Sequence, residues 1–137
     1  MSDKLRILFI CTANDARSPM AEALLRHLDS EHFEAHSGGL QPGQIDPRAI
    51  TALERADVSA ADLRSKSIDE FSGQHFDYLI DLCDKSSDEE QLLPSSEQVL
   101  VWNFADPCIS EQPDAFRHTF QEINDRVRMF SLVKNKG

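Results

Sequence analysis

The sequence predicts an α/β fold in which a parallel sheet of four strands is flanked by helices. Short apolar runs alternate along the chain with segments of helical periodicity. Such alternation is typical of a parallel sheet whose strands are joined by right-handed crossovers. The 137 residues are enough to bury one hydrophobic core. We therefore expect residues 1–137 to form a single domain.

The predicted strands are apolar runs bounded by polar or turn residues, and they cover residues 5–10, 33–36, 78–83 and 98–104. Ser37, Gly38 and Gly39 are expected to break the second strand. The predicted helices cover residues 19–28, 47–56 and 114–133, with one helical turn at 69–71. Asp46 is the expected N-cap of the second helix, and Pro47 occupies its first position. The residues expected on inner helix faces are Ile50, Leu53, Ala56, Phe116, Phe120, Ile123, Val127 and Phe130. The acidic stretch 84–97 is predicted to be a loop.

Residues with useful chemistry follow the predicted strands, namely Cys11, Ser37, Cys83 and Asp106. Because the carboxyl ends of parallel strands meet at one edge of a sheet, we expect these side chains on the same rim. From its position alone, Asp106 is either a proton donor or part of an Asp-Pro turn. Cys83 is either a core thiol or a second reactive thiol.

The segment C-x5-R-S, from Cys11 to Ser18, joins the first strand to the first helix. A thiolate at a helix N-terminus beside the Arg17 guanidinium should have a lowered pKa. Arg17 is able to hold two oxygens of an anion. Ser18 is either the N-cap of the helix, with Pro19 at the first helical position, or a hydrogen-bond donor to the Cys11 sulfur. The pattern predicts a nucleophilic thiol in a loop that binds a tetrahedral oxyanion.

The composition of the chain limits the kinds of partner and the cellular location that we expect. The net charge of −10 argues against binding to nucleic acid and to anionic membrane surfaces. No apolar run reaches transmembrane length and the N-terminus lacks a signal-peptide pattern, so we expect a cytoplasmic protein. Three cysteines suggest free or redox-active thiols, and the five histidines show no metal-ligand spacing. We expect neither a metal site nor a cofactor.

The loop C-T-A-N-D-A-R-S, at residues 11–18, resembles the phosphate-binding loop of the low-molecular-weight protein tyrosine phosphatases and of the arsenate reductases that share their fold. Further similar segments are D-P-R-A-I at 46–50, S-K-S-I-D-E-F at 65–71, W-N-F-A-D-P at 102–107 and the F-R-x4-E-I pattern of the last helix. The resemblance covers nearly the whole chain. It implies the low-molecular-weight phosphotyrosine phosphatase-like fold.

The resemblance also implies roles for individual residues. Cys11 would be the nucleophile, Asp106 the general acid and Cys83 the second redox cysteine. The substrate-binding residues would be Thr12, Ala13, Asn14, Asp15, Ala16, Arg17 and Ser18. The Asp15 carboxylate is expected to point away from the anion, which it would otherwise repel.

Three kinds of function use such a loop: a phosphatase that forms a phosphocysteine, a thiol-dependent arsenate reductase, and a module that binds an oxyanion without chemistry. A Cys11 thiol that is able to act as a nucleophile argues against the module that only binds an oxyanion. Cys83 favours the reductase, because it stands where similar arsenate reductases have their second cysteine. Ala16 also favours it, since the phosphatases usually carry a cysteine there, and the loop after Pro107 lacks their aromatic residue. We therefore expect an arsenate reductase that acts on arsenate or a phosphate-like oxyanion.

This sequence departs from the three-cysteine reductases after Cys83. Glu90 stands at the spacing expected for their third cysteine, and the remaining thiol is Cys108. Cys108 is therefore either a spectator beside Asp106 or a replacement third relay thiol. The reductant stays open between thioredoxin, glutaredoxin with glutathione, and another thiol.

A second departure concerns a cation. Some members of the similar family hold potassium beside the loop with residues that match Asn14, Glu22 and Ser37 here. Their further acidic ligand falls near Lys66. We expect the Lys66 ammonium to replace the ion and to neutralise Glu22.

Overall fold

The computed structural model describes residues 4–11, 16–39, 43–60, 63–82, 94–102 and 114–134. The strands are β1 (Leu5–Cys11), β2 (Phe33–Gly39), β3 (His75–Asp81) and β4 (Ser95–Val101). The helices are α1 (Arg17–Asp29), α2 (Pro47–Arg55) and α3 (Ala115–Lys134), with a short 3₁₀ helix at Ile68–Phe71. Within these described ranges, no helix is both long and apolar enough to cross a membrane.

The strands form one parallel sheet in the order β2-β1-β3-β4. The predicted fold class is therefore confirmed. β1 lies between β2 and β3, and both of its faces are covered. Ile7 and Phe9 join the core under the helices, whereas Leu8 and Ile10 join a second cluster around the 3₁₀ helix. An apolar run without alternation is what a central parallel strand requires.

The larger core lies between the sheet and the three long helices. α1 packs against both α2 and α3 on this face. Leu25 of α1 and Ile123 and Val127 of α3 are fully buried here. Each such side chain contributes roughly 1.5–3 kcal/mol of hydrophobic stabilisation. This packing fixes the start of α1 above the end of β1.

The second strand is longer than the sequence predicts. Ser37, Gly38 and Gly39 continue β2 in register with the last residues of β1, ending with Gly39 opposite Cys11. Gly38 suits this position because the chain passes close to the 3₁₀ helix. A Cβ atom on Gly38 would lie 3.1 Å from Ile68 Cγ2 and 3.3 Å from the Ile68 backbone. Gly-Gly was therefore wrongly interpreted as a strand break, since it marks a close backbone approach instead.

The bounds of the other two strands also differ from the prediction. β3 begins at His75, and β4 covers Ser95–Val101, including residues expected to be loop. β4 is the end strand of the described sheet, and most of its residues are exposed. Its polar start is a strand because it pairs with the start of β3, from His75 opposite Ser95 onward. The predicted strand residues Cys83, 103 and 104 lie outside the described residues.

The helices agree with the sequence except in detail. Asp46 is the N-cap of α2 and accepts a hydrogen bond of 2.9 Å from the Arg48 N–H. The buried side chains of α2 are Ala49 and Leu53, whereas Ala56 lies exposed just beyond the helix. Ala56 was wrongly placed on the inner face because α2 ends one residue earlier than predicted. In α3 the predicted residues face the core, with Ile123, Val127 and Phe130 buried and Phe116 and Phe120 partly buried against it.

A polar network ties β1 to β2 near their starts. Arg6 Nε donates to Glu34 Oε2 at 2.8 Å, and His36 Nε2 lies 2.9 Å from the same oxygen. The Arg6 guanidinium also lies over the Phe76 ring, 4.5 Å from its centroid. Hydrogen bonds with His36, and then with Arg6, hold the pKa of Glu34 below its ordinary value.

Candidate active site

Cys11 is the last residue of the central strand β1, and its side chain is fully buried. Its Sγ atom lies 2.8 Å from the Ser18 Oγ atom in the first turn of α1. Ser18 is also fully buried. When the thiol is ionised, the hydroxyl is the donor, which stabilises the thiolate.

The helix begins earlier than predicted. Arg17 is the first residue of α1, and Ala16 occupies the N-cap position without a side-chain cap. The first helical hydrogen bond runs from the Met20 N–H to the Ala16 carbonyl, at 2.9 Å. Pro19 is therefore the third helical residue, and Ser18 is not the N-cap. The alternative prediction, that Ser18 bonds to the Cys11 sulfur, is confirmed.

The start of α1 is electrostatically positive. Its first turn contains no acidic residue, and Arg17 is only 7% exposed. The positive end of the helix dipole and the Arg17 charge therefore both belong to the first turn of α1, which also contacts Cys11 through Ser18. This arrangement favours both a thiolate and a bound oxyanion.

Several predicted site residues lie outside the described residues. They are Thr12, Ala13, Asn14, Asp15, Cys83, Asp106 and Cys108. The residues that flank them are described. The Leu82 N–H donates to the Ile10 carbonyl at 2.8 Å, and the Trp102 N–H donates to the Asp81 carbonyl at 2.7 Å. The chain thus leaves β3 and β4 at the same rim as Cys11.

The sequence predicts that Ser37 follows the second strand. In the structure, Ser37 instead lies within β2, opposite Phe9 of β1. Its hydroxyl donates to Glu22 Oε1. Glu22 lies on α1, one helical turn after Ser18, and is 1% exposed. Ser37 therefore connects β2 to α1, the helix that carries Ser18.

Glu22 has two cationic neighbours. Arg26 Nη1 lies 2.7 Å from Glu22 Oε2, and Lys66 Nζ lies 3.6 Å from Glu22 Oε1. The Lys66 position beside Glu22 was predicted, whereas Arg26 was missed. The ion pair could have been predicted, because Arg26 follows Glu22 by four residues and both lie on the same helix.

Lys66 is itself largely enclosed, with a side chain 10% exposed. Burial lowers its pKa, and the charge of Glu22 opposes that change. Lys66 Nζ also donates to the Arg64 carbonyl at 3.1 Å. We call Glu22, Arg26, Ser37 and Lys66 the Glu22 cluster.

The described residues contain no group of three or more His, Cys, Asp or Glu side chains arranged to hold a metal ion. Four histidines lie beside single carboxylates, in the pairs His32–Asp29, His36–Glu34, His75–Glu97 and His118–Glu122. Each of these histidines thus has one carboxylate neighbour.

A buried cysteine, a buried arginine and the N-terminus of α1 thus lie at the carboxyl end of the central strand. The family model of the low molecular weight phosphotyrosine protein phosphatases matches residues 6–136. The chain belongs to this family, as the sequence predicts.

The matched relatives include arsenate reductases. Arsenate reductase 1 of Staphylococcus haemolyticus is 31% identical over 128 residues, which cover 93% of this chain and 96% of the relative. A solved arsenate reductase in the phosphate binding state superimposes with a TM-score of 0.80 at 25% identity, covering 92% of this chain and 95% of that one. A thioredoxin-dependent arsenate reductase of Corynebacterium glutamicum has a TM-score of 0.75 at 26% identity, covering 99% of this chain and 65% of that one.

Proposed function

We propose that this protein is an arsenate reductase that uses Cys11 as its nucleophile. The observation that carries the proposal is the Cys11–Ser18 contact of 2.8 Å at the start of α1. It supplies a stabilised thiolate where the helix and Arg17 attract an oxyanion. The similarity to arsenate reductases over most of the chain gives the reaction class.

Arsenate binding would depend on Arg17 and on backbone N–H groups of residues 12–18. A guanidinium holds two oxygens of a tetrahedral anion in one plane. The likeness to an arsenate reductase in the phosphate binding state supports an oxyanion of this shape. The Asp15 carboxylate would then point away from the anion.

In the first step, the Cys11 thiolate attacks arsenic. A sulfur–arsenic bond forms, and one arsenate oxygen leaves as water after protonation. We assign this proton to Asp106, which follows β4 in an Asp-Pro sequence. Arsenic is still pentavalent at this stage.

In the second step, the Cys83 thiolate attacks the Cys11 sulfur. A sulfur–sulfur bond forms, the sulfur–arsenic bond breaks, and its electron pair reduces arsenic to the trivalent state. Arsenite leaves, and a Cys11–Cys83 disulfide remains. The Leu82–Ile10 hydrogen bond supports this assignment, because the residue before Cys83 is tied to the residue before Cys11.

A dithiol reductant must then return two electrons to the disulfide. We propose thioredoxin, in keeping with the thioredoxin-dependent relative of similar structure. Glutaredoxin with glutathione is the competing reductant. Cys108 either takes over the disulfide from Cys83 or is a spectator.

A turnover assay tests the proposal. Arsenate and p-nitrophenyl phosphate would each be supplied with thioredoxin and its reductase, or with glutaredoxin and glutathione. We expect arsenate-dependent consumption of reducing equivalents with thioredoxin. Phosphate release without arsenate reduction would instead establish the phosphatase alternative.

Single cysteine variants then separate the thiol roles. After one arsenate turnover without reductant, mass spectrometry of Cys108→Ser should find a Cys11–Cys83 disulfide. Intact multiple turnover in that variant makes Cys108 a spectator, and lost turnover makes it a third relay thiol. Full multiple turnover in Cys83→Ser would contradict the role of Cys83.

A further inference from the structure

Glu22 is a buried carboxylate outside the reaction sequence described above. Its charge lies among α1, β2 and the segment 63–67, with 1% of the residue exposed. A buried charge is costly unless partners compensate it. The question is whether this compensation comes from the chain or from a bound ion.

The cluster does not fit an alkali metal ion. Oε1 accepts from the Ser37 hydroxyl and has the Lys66 ammonium at 3.6 Å, while Oε2 pairs with Arg26 at 2.7 Å. Two cationic side chains already face one carboxylate. A further monovalent cation at Glu22 would be repelled by both of them. The Glu22 oxygens that could coordinate potassium are thus already paired with the hydroxyl and the cationic groups of the chain itself.

Lys66 is held in place from two sides. Its backbone carbonyl accepts from the Gly39 N–H at 2.9 Å, and the adjacent Ser67 forms a parallel bridge with Gly39. Its side chain reaches across to Glu22 on α1. One residue therefore joins the carboxyl end of β2 to the helix that carries Ser18.

We propose that the Lys66 ammonium is a built-in cation that neutralises Glu22 and fixes α1 against the end of β2. The protein then needs no alkali metal ion at this position. Lys66 acts through Glu22 and is a positioning residue, because its contacts are with α1 and β2. The inference does not depend on which reaction Cys11 catalyses.

Thermal unfolding of the purified full-length protein tests the proposal independently of activity. Wild type, Lys66→Met and Arg64→Met would be compared in potassium chloride and in sodium chloride at equal ionic strength. Arg64 is the matched control, because it is a nearby cation whose side chain is 63% exposed and pairs with Glu70. Exposed pairs of this kind contribute little to stability.

We expect the melting temperature of wild type to be the same in the two salts within about 1 °C. Lys66→Met should lower it by about 5 °C or more, whereas Arg64→Met should lower it by less than about 2 °C. Wild-type stability or turnover that rises specifically with potassium would overturn the proposal. Equal melting temperatures for the two variants would overturn it as well.

Lys66→Asp provides a gain-of-function test. It places a second carboxylate beside Glu22, so that a bound cation should now relieve their repulsion. We expect the melting temperature and the turnover of Lys66→Asp to rise with added potassium chloride and to reach a plateau. Both increases should exceed those of wild type. A folded Lys66→Asp protein with the same salt response as wild type would contradict the proposal. If that variant does not fold, the Lys66→Met comparison alone decides.

Discussion

The Cys11 Sγ and Ser18 Oγ atoms lie 2.8 Å apart, across the connection between β1 and α1. Both side chains are fully buried, so water does not compete for either partner. This contact couples Cys11 to the first turn of α1. We expect the Ser18 hydroxyl, the Arg17 guanidinium and the helix dipole each to stabilise the Cys11 thiolate. Mutation can separate these contributions.

Cys11→Ser should abolish turnover, because a serine hydroxyl at this position is far less nucleophilic than a thiolate. We expect arsenate reduction to fall by at least about 1,000-fold. Phosphate binding, measured by calorimetry, should be largely kept, since the anion-binding groups are unchanged. Activity near that of wild type would refute the assignment of the nucleophile.

Ser18→Ala should make Cys11 less reactive at neutral pH. The thiolate loses a hydroxyl donor, so its alkylation by iodoacetamide should require a higher pH, with turnover reduced about tenfold. The modified cysteine would be identified by mass spectrometry across a pH series. Thr51→Ala, which removes an exposed hydroxyl on α2, is the control and should leave the profile unchanged. An unaltered profile in Ser18→Ala would mean that the contact does not tune the thiol.

Gly38→Ala should destabilise the fold, because the new methyl group would meet Ile68 Cγ2 at 3.1 Å and its backbone at 3.3 Å. We expect a loss of about 1–3 kcal/mol in the free energy of unfolding, measured with urea. Gly43→Ala is the matched control, since nothing lies within 4 Å of a Cβ atom there. Equal stability of the two variants would contradict the close approach of β2 to the 3₁₀ helix.

Glu34→Gln should change how stability depends on acid pH. The pKa of Glu34 is lowered in the folded state, so its ionised form stabilises the fold above its ordinary pKa of 4.5. That contribution is lost as the pH falls through the lowered value. The free energy of unfolding near pH 6 should therefore be higher for wild type than for the variant by no more than about 1 kcal/mol, because the Arg6–Glu34 pair is partly exposed to solvent. The difference should shrink below pH 4.5.

Urea unfolding at several pH values would measure this difference. Glu54→Gln, an exposed residue of α2, is the control and should show no such trend. A difference in the free energy of unfolding between wild type and Glu34→Gln that grows as the pH falls would be opposite to the expected trend. It would contradict a stabilising role of ionised Glu34.

Local chemistry was enough to identify the main features of the fold and of the described part of the site. The apolar run of β1 has no alternation, because both faces of a central strand are buried, and it ends at Cys11. Asp46 followed by Pro47 identifies a helix start by capping alone. The spacing between Cys11 and Ser18 placed the thiol at a helix N-terminus. These features can be recognised from short stretches of neighbouring residues.

Contacts between distant segments decided the rest. Gly38 and Gly39 belong to β2 because they pair with Ile10 and Cys11, and Gly38 lies close to Ile68 of the 3₁₀ helix. The polar start of β4 is a strand because β3 supplies its hydrogen-bond partners, not because its side chains alternate. Ser18 bonds to sulfur because packing places the start of α1 over the end of β1, and Glu22 is a buried charge because β2 and the segment 63–67 pack against α1. A hydrogen-bond ladder and the desolvation of a charge depend on neighbours far away in the chain, and these neighbours meet only when the sheet and helices assemble.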